Sequence, residues 1–359
     1  MSGVPLRLLV VVPSWVGDAV MATPTLRALR ARFKGTFIGG LVRPGIDQLL
    51  AGTDFFDELH VDRASGVMGP KLVAAKVRPR RYEAAILLTN SFSTALVTRL
   101  AGIPRRIGYD RDARGLLLTD RMPAPKRPGG GWAVVPAVEY YWTLAQRFLL
   151  HQPDSRPGPM ELATTTEEER GAEELLERAG VAPGERLAVL NPGGNNPAKR
   201  WPADRYAAVG RLLRERWGMR VLVNGSPAEV ELAAEIAAGC PGAVELPRLG
   251  ISLGTLKALV KRSGLMVTND TGPRHIAAAF GVPLVSLFGP TDYRWTVIPA
   301  REEVISADPT LPETELAEDH PERCRIDRIG LERVVEGIER ALGGRLDHSE
   351  RSPTMPSAG

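Results

Sequence analysis

Leu6-Arg-Leu-Leu-Val-Val-Val12, followed at once by Pro13-Ser-Trp-Val-Gly-Asp18, carries the reading of the fold. A continuous apolar, β-branched run of this length predicts a strand covered by helices on both faces, because a strand with one wet face alternates instead. Beyond the loop a helical stretch runs to Phe33, with Leu26, Ala28, Leu29 and Phe33 on its apolar stripe and Pro24 at its first position or kinking its start. Strand, loop and helix together form one α/β unit.

The same alternation continues outward. Strands are expected at Phe37 to Leu41, Glu58 to Val61, Ala84 to Leu88 and Arg106 to Tyr109, with helices at Gly45 to Leu50, Lys71 to Val77 and Ser93 to Leu100. A proline-flanked segment then holds one short helix, for which Thr166 and Glu169 form a capping box and Gly180 a stop. The second half repeats the pattern more cleanly, with strands at Leu187 to Asn191, Arg220 to Asn224, Val244 to Leu246, Leu265 to Asn269 and Leu284 to Phe288. Helices are expected between them, at Asp204 to Trp217, Ala228 to Ala238, Leu253 to Arg262 and Thr271 to Phe280. After Phe288 the pattern becomes irregular, through an acidic stretch from Asp308 to Glu322, until a last amphipathic helix from Gly330 to Leu342. No internal repeat of solenoid length is evident.

The expected organisation is therefore an α/β chain of two Rossmann-like, doubly wound parallel-sheet domains facing a central cleft. The first is expected at 1–152, a linker with a short helix at 153–183, the second at 184–343 and a disordered tail at 344–359. A length of 359 residues, at ~150 per domain, agrees with two cores.

Composition narrows the class. With 43% hydrophobic and 25% charged residues the chain reads as an ordinary folded protein, and a net charge of +4 does not by itself predict nucleic-acid binding. Cys240 and Cys324 have no CxxC partner, which disfavours a zinc cage or disulfide framework and favours a reducing, cytoplasmic setting. The N-terminal apolar run is far shorter than the ~20 residues of a membrane span. Charge is uneven, however: from Arg63 to Arg127 there are 14 Lys and Arg against four acids, in clusters at Arg78, Arg80, Arg81 and at Arg105, Arg106, Arg111, Arg114. One face of the first half is expected to meet an anionic partner, although a merely solvated helical face also accounts for the pattern.

Four segments stand where such folds place ligands, just after strands. In Val267-Thr-Asn-Asp-Thr-Gly-Pro-Arg-His275 a strand ends at Asp270 and a helix begins at Thr271-Gly272, so its N-terminus suits a phosphate, with His275 one turn further on. Helix capping by Asp270 and a core position for His275 fit as well. In Asn191-Pro-Gly-Gly-Asn-Asn-Pro-Ala-Lys199 the glycines expose backbone and Lys199 offers a counter-charge, or the segment is a plain turn. In Asn224-Gly-Ser-Pro-Ala-Glu229 the carboxylate can take ribose hydroxyls or favour the helix start. Asp18, after the first strand, is either a catalytic base across the cleft or a helix cap. No GxGxxG or Walker loop opens either half, which disfavours a dehydrogenase and P-loop hydrolysis.

In this order these segments, together with TNSF at Thr89 to Phe92, AGIPRRIGY at Ala101 to Tyr109, PAKRWP at Pro197 to Pro202 and TNDTGPRHIAAA at Thr268 to Ala279, resemble the ADP-heptose:lipopolysaccharide heptosyltransferases of glycosyltransferase family 9. The likeness spans nearly the whole chain and is nearest to the heptosyltransferase II branch. It implies a GT-B architecture, ADP-heptose as donor bound by the second domain, and a lipid A inner-core acceptor held by the first. It also implies inversion at the anomeric carbon. Position by position, Asp18 matches the general base. Gly194, Asn195 and Lys199 match the diphosphate loop, Glu229 the ribose contact and Ile251 the adenine lining, while Asp270, Thr271, Gly272 and His275 match the signature that meets diphosphate and heptose. Gly194 and Asn195 depart from hydroxyl residues found in some members, which points to backbone contacts there.

No metal cofactor is expected. Acceptor contacts are expected from Arg105, Arg106, Arg111, Arg114 and the Arg78 to Arg81 cluster, and from Asn90 and Ser91. The setting implied is cytoplasmic, with transient contact at the inner membrane surface and no nucleic acid. A sister transferase of the family, a nucleotide-sugar epimerase of the same architecture and a non-catalytic nucleotide-binding protein are the alternatives.

Overall fold

The computed structural model describes residues 5–127, 130–152 and 155–343; the tail assigned to 344–359 lies outside them. In the first half, β1 (Arg7–Val11) leads through Pro13 to α1 (Val16–Met21) and α2 (Thr23–Arg32), then β2 (Phe37–Val42), α3 (Ile46–Leu49), β3 (Glu58–Val61) and α4 (Gly69–Val77). β4 (Ala84–Leu87), α5 (Phe92–Leu100), β5 (Arg105–Asp110), β6 (Asp120–Pro123), α6 (Ala137–Ala145) and α7 (Thr166–Arg178) follow. The second half comprises β7 (Leu187–Asn191), α8 (Ala203–Trp217), β8 (Arg220–Val223), α9 (Val230–Ala238), β9 (Val244–Glu245) and α10 (Leu253–Lys261). It is completed by β10 (Leu265–Asn269), α11 (Gly272–Ala279), β11 (Leu284–Phe288), β12 (Glu302–Ser306) and α12 (Leu331–Gly343).

Each half builds a six-stranded parallel sheet, in the orders β3-β2-β1-β4-β5-β6 and β12-β11-β10-β7-β8-β9. Counted from the first strand of each half, the two orders are the same doubly wound arrangement. β1 explains why its sequence is apolar throughout. Leu8 and Val10 face one core, Leu9 and Val11 another, and all four are almost fully buried. Burial of each contributes roughly 1.5–3 kcal/mol. The core on the Leu8 face continues into the second half through Leu256, Met266 and Ile276, whereas the core on the Leu9 face, beneath α4 and α5, is closed by first-half side chains alone.

Several details differ from the sequence reading. Pro24 divides the first helix into α1 and α2, sitting in the first turn of α2 where its missing N–H costs nothing. β6 has no counterpart among the expected strands and β12 falls in the stretch expected to be irregular: both are edge strands, half exposed and polar, so they lack an apolar run. The capping box of α7 is formed by Thr165 and Glu168, one residue earlier than expected in a run of three threonines and three glutamates. α7 is not a loose connector. It packs on α10, where Lys261 and Arg262 pair with Glu169 and Arg262 also pairs with Glu173.

Two close contacts set the halves against each other. The starts of α1 and α11 meet so tightly that a Cβ on Gly272 would lie 2.8 Å from Val16 Cβ, and one on Gly17 would lie 2.6 Å from the His275 ring. On the far side, the fully buried Lys257 of α10 donates from Nζ to the carbonyls of Gln48, Leu49 and Ala51, at 2.9–3.2 Å, and pairs with Glu168 at 3.0 Å.

Candidate active site

A doubly wound sheet opens a crevice where its strand order reverses, between the first and fourth strands. In this chain the reversal lies between β1 and β4 in one half and between β7 and β10 in the other. The loops that leave β1, β7 and β10 carry Asp18, Gly194 to Lys199 and Asp270 to Gly272, and they face a shared cleft of about 650 Å³. Asp18, Gly194, Asn195, Lys199, Glu229, Ile251, Asp270, Thr271, Gly272 and His275 all line it.

On the second-half side the polar groups hold one another. Lys199 Nζ lies 3.2 Å from Asp270 Oδ2, so the ammonium is already poised over the start of α11. Glu229 accepts from the backbone N–H groups of Gly194 and Ser226, each at 2.8 Å, and from the Ser226 hydroxyl. Burial alone would raise its carboxyl, yet these hydrogen bonds and Arg200 hold it below the usual range. Gly193 is required beside it, since a Cβ there would collide with the carboxylate. Glu229 is thus the helix-start partner, and it also lines the cleft.

Behind the loops lies an amide network that the motifs did not single out. Asn191 donates to the hydroxyls of Thr268 and Thr271, Asn224 donates to Asn191 at 2.7 Å, and Asn269 donates to the carbonyl of Pro192 at 2.6 Å. Each asparagine closes or follows a strand, so three strands terminating in Asn were the available signal. Arg274, buried in α11, ties Glu302 of β12 to the Thr296 carbonyl and so fixes the chain that borders the cleft. His275 is buried and neutral: burial, then Arg274, pushes its pKa well below the ordinary value. Its Nδ1 has no hydrogen-bond partner among the described residues.

On the first-half side, Asp18 sits in the first turn of α1 and Tyr141 of α6 donates to its Oδ1 at 2.8 Å. Burial raises the Asp18 carboxyl above its ordinary value, the Tyr141 hydrogen bond opposes that rise and the charge of Asp270 adds to it. Asp18 also borders a second cavity of about 220 Å³ on its other side, walled by Asn90, Arg111, Trp132, Tyr140, Tyr141 and Trp295. Arg111 stacks on Trp132 with its guanidinium 4.1 Å from the ring centroid. Tyr140 donates to Asn90 Oδ1 at 3.1 Å. Sequence reasoning missed the four aromatic residues, which lie outside every quoted motif.

The basic clusters divide. Arg111 and Asn90 face the second cavity. Arg114 is fully buried, donating to the carbonyls of Tyr109 and Thr89 and to Asn90, and burial pushes its pKa down to about 10. Arg106 spends its donors on the carbonyls of Leu117, Ile103 and Pro104. Arg105 pairs with Asp120 and donates to the Phe148 carbonyl. Ser91 caps α5 instead of facing either cavity. Arg78, Arg80 and Arg81 lie exposed at the end of α4, away from the cleft. Among the described residues no group of three or more His, Cys, Asp or Glu is placed to hold a metal ion.

The sequence model of a family described as Glycosyltransferase family 9 (heptosyltransferase) matches residues 72–323. Lipopolysaccharide heptosyltransferase 2 of Salmonella typhimurium is 30% identical over 309 residues, covering 81% of this chain and 85% of that one. The protein of the same name from Escherichia coli strain K12 is 29% identical over 308 residues, again 81% and 85%. Among solved structures, E. coli ADP-heptose lps heptosyltransferase II superposes with a TM-score of 0.77 at 28% identity, over 94% of this chain and 98% of the other.

Proposed function

The chain belongs to glycosyltransferase family 9, and from that premise we propose that it moves a heptose from ADP-heptose to the inner core of lipopolysaccharide, as a heptosyltransferase II. The observation that carries the reading is the position of Asp18 between two cavities, with a cationic, helix-terminated anion site on one side and an aromatic, arginine-bearing pocket on the other.

Transfer requires the acceptor hydroxyl oxygen to form a bond to the anomeric carbon as the bond from that carbon to the β-phosphate oxygen breaks. Positive charge grows on the sugar ring and negative charge on departing ADP. Lys199, released from Asp270, and the N–H groups at the start of α11 stabilise the leaving diphosphate, the kind of preorganised electrostatics that dominates catalysis. Ile251 lines the adenine end and Glu229 takes ribose hydroxyls. Asp18 receives the proton of the attacking hydroxyl through Oδ2, because Tyr141 occupies Oδ1; Tyr141 is thus a positioning residue. Burial supports the role, since a carboxyl raised above its ordinary value is a stronger base. Attack from the Asp18 side, opposite the leaving group, inverts the anomeric centre.

On this reading the small second cavity takes the acceptor heptose against Trp132, with Arg111 on an acidic group of the core. No divalent cation is required, because Lys199 and the α11 terminus supply the positive charge. The protein works in the cytoplasm against the inner membrane surface and has no nucleic-acid partner. No helix among the described residues is long and apolar enough to cross a membrane.

The test is turnover of ADP-heptose with lipid A core acceptors that carry no, one or two heptoses, in the presence of EDTA. Transfer to the one-heptose acceptor alone is expected. Transfer to another acceptor moves the chain to a sister activity, and turnover of donor without any acceptor would overturn the assignment. Dependence on added Mg²⁺ would overturn the cation-free mechanism.

A further inference from the structure

Eleven large apolar side chains are exposed among the described residues, and six of them gather on one layer of the first half. Leu72 lies on α4, Val67 and Met68 in the loop leading into it, Phe92 and Leu100 on α5, and Leu116 in the turn at 115–117 that packs beside α5. Val67 is 98% exposed, Leu116 93% and Leu72 61%. The helices beneath are firmly seated by Val73, Val77 and Val97, so this is a built surface and not a frayed one.

Around these side chains stand Lys71, Lys76, Arg78, Arg80, Arg81 and Arg99, all exposed. Arg80 is held by Glu58 at 2.7 Å, from outside the layer. The sequence contains no Asp or Glu between 63 and 82, nor between 84 and 109. Apart from Asp110 beside the 115–117 turn and Glu58 on Arg80, the charges around Val67, Met68, Leu72 and Phe92 are cationic, and an apolar centre so surrounded matches a surface that is anionic outside and apolar within.

We propose that the outer layer of α4 and α5 docks on an anionic lipid bilayer, with Val67, Met68, Leu72 and Phe92 entering the headgroup boundary and the Lys and Arg side chains lying along the phosphates. This deepens the proposed function, and rests on it only for the benefit to turnover. The starts of α4 and α5 border a cavity of about 220 Å³ lined by Ser14, Thr89 and Ser93. Thr89 adjoins Asn90, which lines the pocket beside Asp18. Docking on this layer therefore sets the acceptor entrance, not the donor side, next to the membrane.

The experiment is co-sedimentation of the full chain with vesicles of phosphatidylglycerol and phosphatidylcholine, against phosphatidylcholine alone. Parallel turnover is measured on a delipidated core oligosaccharide and on an acceptor embedded in the same vesicles. Wild type is expected to partition to the anionic vesicles in a salt-sensitive way. Lys71→Gln and Arg81→Gln are each expected to weaken partitioning roughly five-fold. Leu72→Glu with Phe92→Glu is expected to abolish partitioning and slow turnover of the embedded acceptor, leaving turnover of the soluble one unchanged. Undiminished partitioning of the Leu72/Phe92 variant, equal binding to both vesicle types by wild type, or a shift of these variants from dimer to monomer would each overturn the proposal. Failure of the proposed transferase activity shows separately, as absent turnover of the soluble acceptor while vesicle binding persists.

Discussion

The two halves share one strand order and open their loops at the same reversal point, yet they equip those loops differently. In the second half the cleft residues are already engaged with each other: Lys199 with Asp270, Glu229 with Gly194 and Ser226, Asn191 with Thr271. In the first half a single carboxylate, Asp18, is held by one phenol in an aromatic wall, and most of the nearby arginines serve the fold. A site for a fixed dianion can be built ahead of its ligand from charges that neutralise one another until it arrives. A site for proton removal needs one desolvated base with one oxygen left over. Charge counted along a sequence says little about charge presented to a ligand, since Arg114 and Arg106 answer carbonyl oxygens inside the protein.

The sharpest way to break the contrast is Asp18→Asn. Turnover is expected to fall by about 10²–10⁴-fold, the usual worth of a positioned base, while ADP binding measured by calorimetry stays near wild type. Because burial raises the Asp18 carboxyl, the stability tied to this group is present in acid and lost as pH rises through its folded pKa. At neutral pH the ionised group is therefore a burden, and Asp18→Asn is expected to melt higher than wild type, with the gain vanishing in acid. Retained turnover would move the base elsewhere and end the division of labour between the halves.

Next in size is a pair of arginines that separates ligand charge from fold charge. Arg114→Ala leaves two carbonyls and an amide without their donor and is expected to cost about 2–4 kcal/mol in denaturant unfolding. Arg111→Ala is expected to unfold within ~0.5 kcal/mol of wild type and instead to raise the acceptor KM several-fold. Reversed outcomes would reverse the assignment of the two residues. Smallest is Tyr141→Phe, with kcat expected to drop about ten-fold, the loss of one hydrogen bond to a charged group, and donor KM unchanged. The phenol lowers the Asp18 pKa against burial and Asp270. Its removal should therefore move the acid limb of the kcat profile to higher pH. An unmoved limb would reduce Tyr141 to packing.

What could be read from the sequence follows from how each feature is encoded. The central strands were legible because burial on both faces forces an unbroken apolar run, as in Leu187 to Asn191. The loops after them were legible because phosphate sites reuse Gly, Lys and helix starts in short segments. β12 was not, since Arg301-Glu-Glu-Val-Ile-Ser306 pairs along one edge only and keeps polar residues. Three threonines before three glutamates allow neighbouring capping registers, of which α7 takes the one at Thr165. Tyr141 reaches Asp18 across 123 residues, and no local pattern records a contact between elements so far apart.

Lys257 gives the frame its last consequence. One ammonium, dry and coordinated by three carbonyl oxygens from one half and a carboxylate of α7, behaves as a fulcrum. Sliding one half past the other would strand that charge away from water, at a cost of several kcal/mol. The cleft lies at the opposite end of the lever, where Gly17 and Gly272 are bare enough to let the two helix starts touch. The two halves are therefore expected to turn about Lys257 more readily than to slide past it, which would open or close the cleft that Asp18 and Lys199 line.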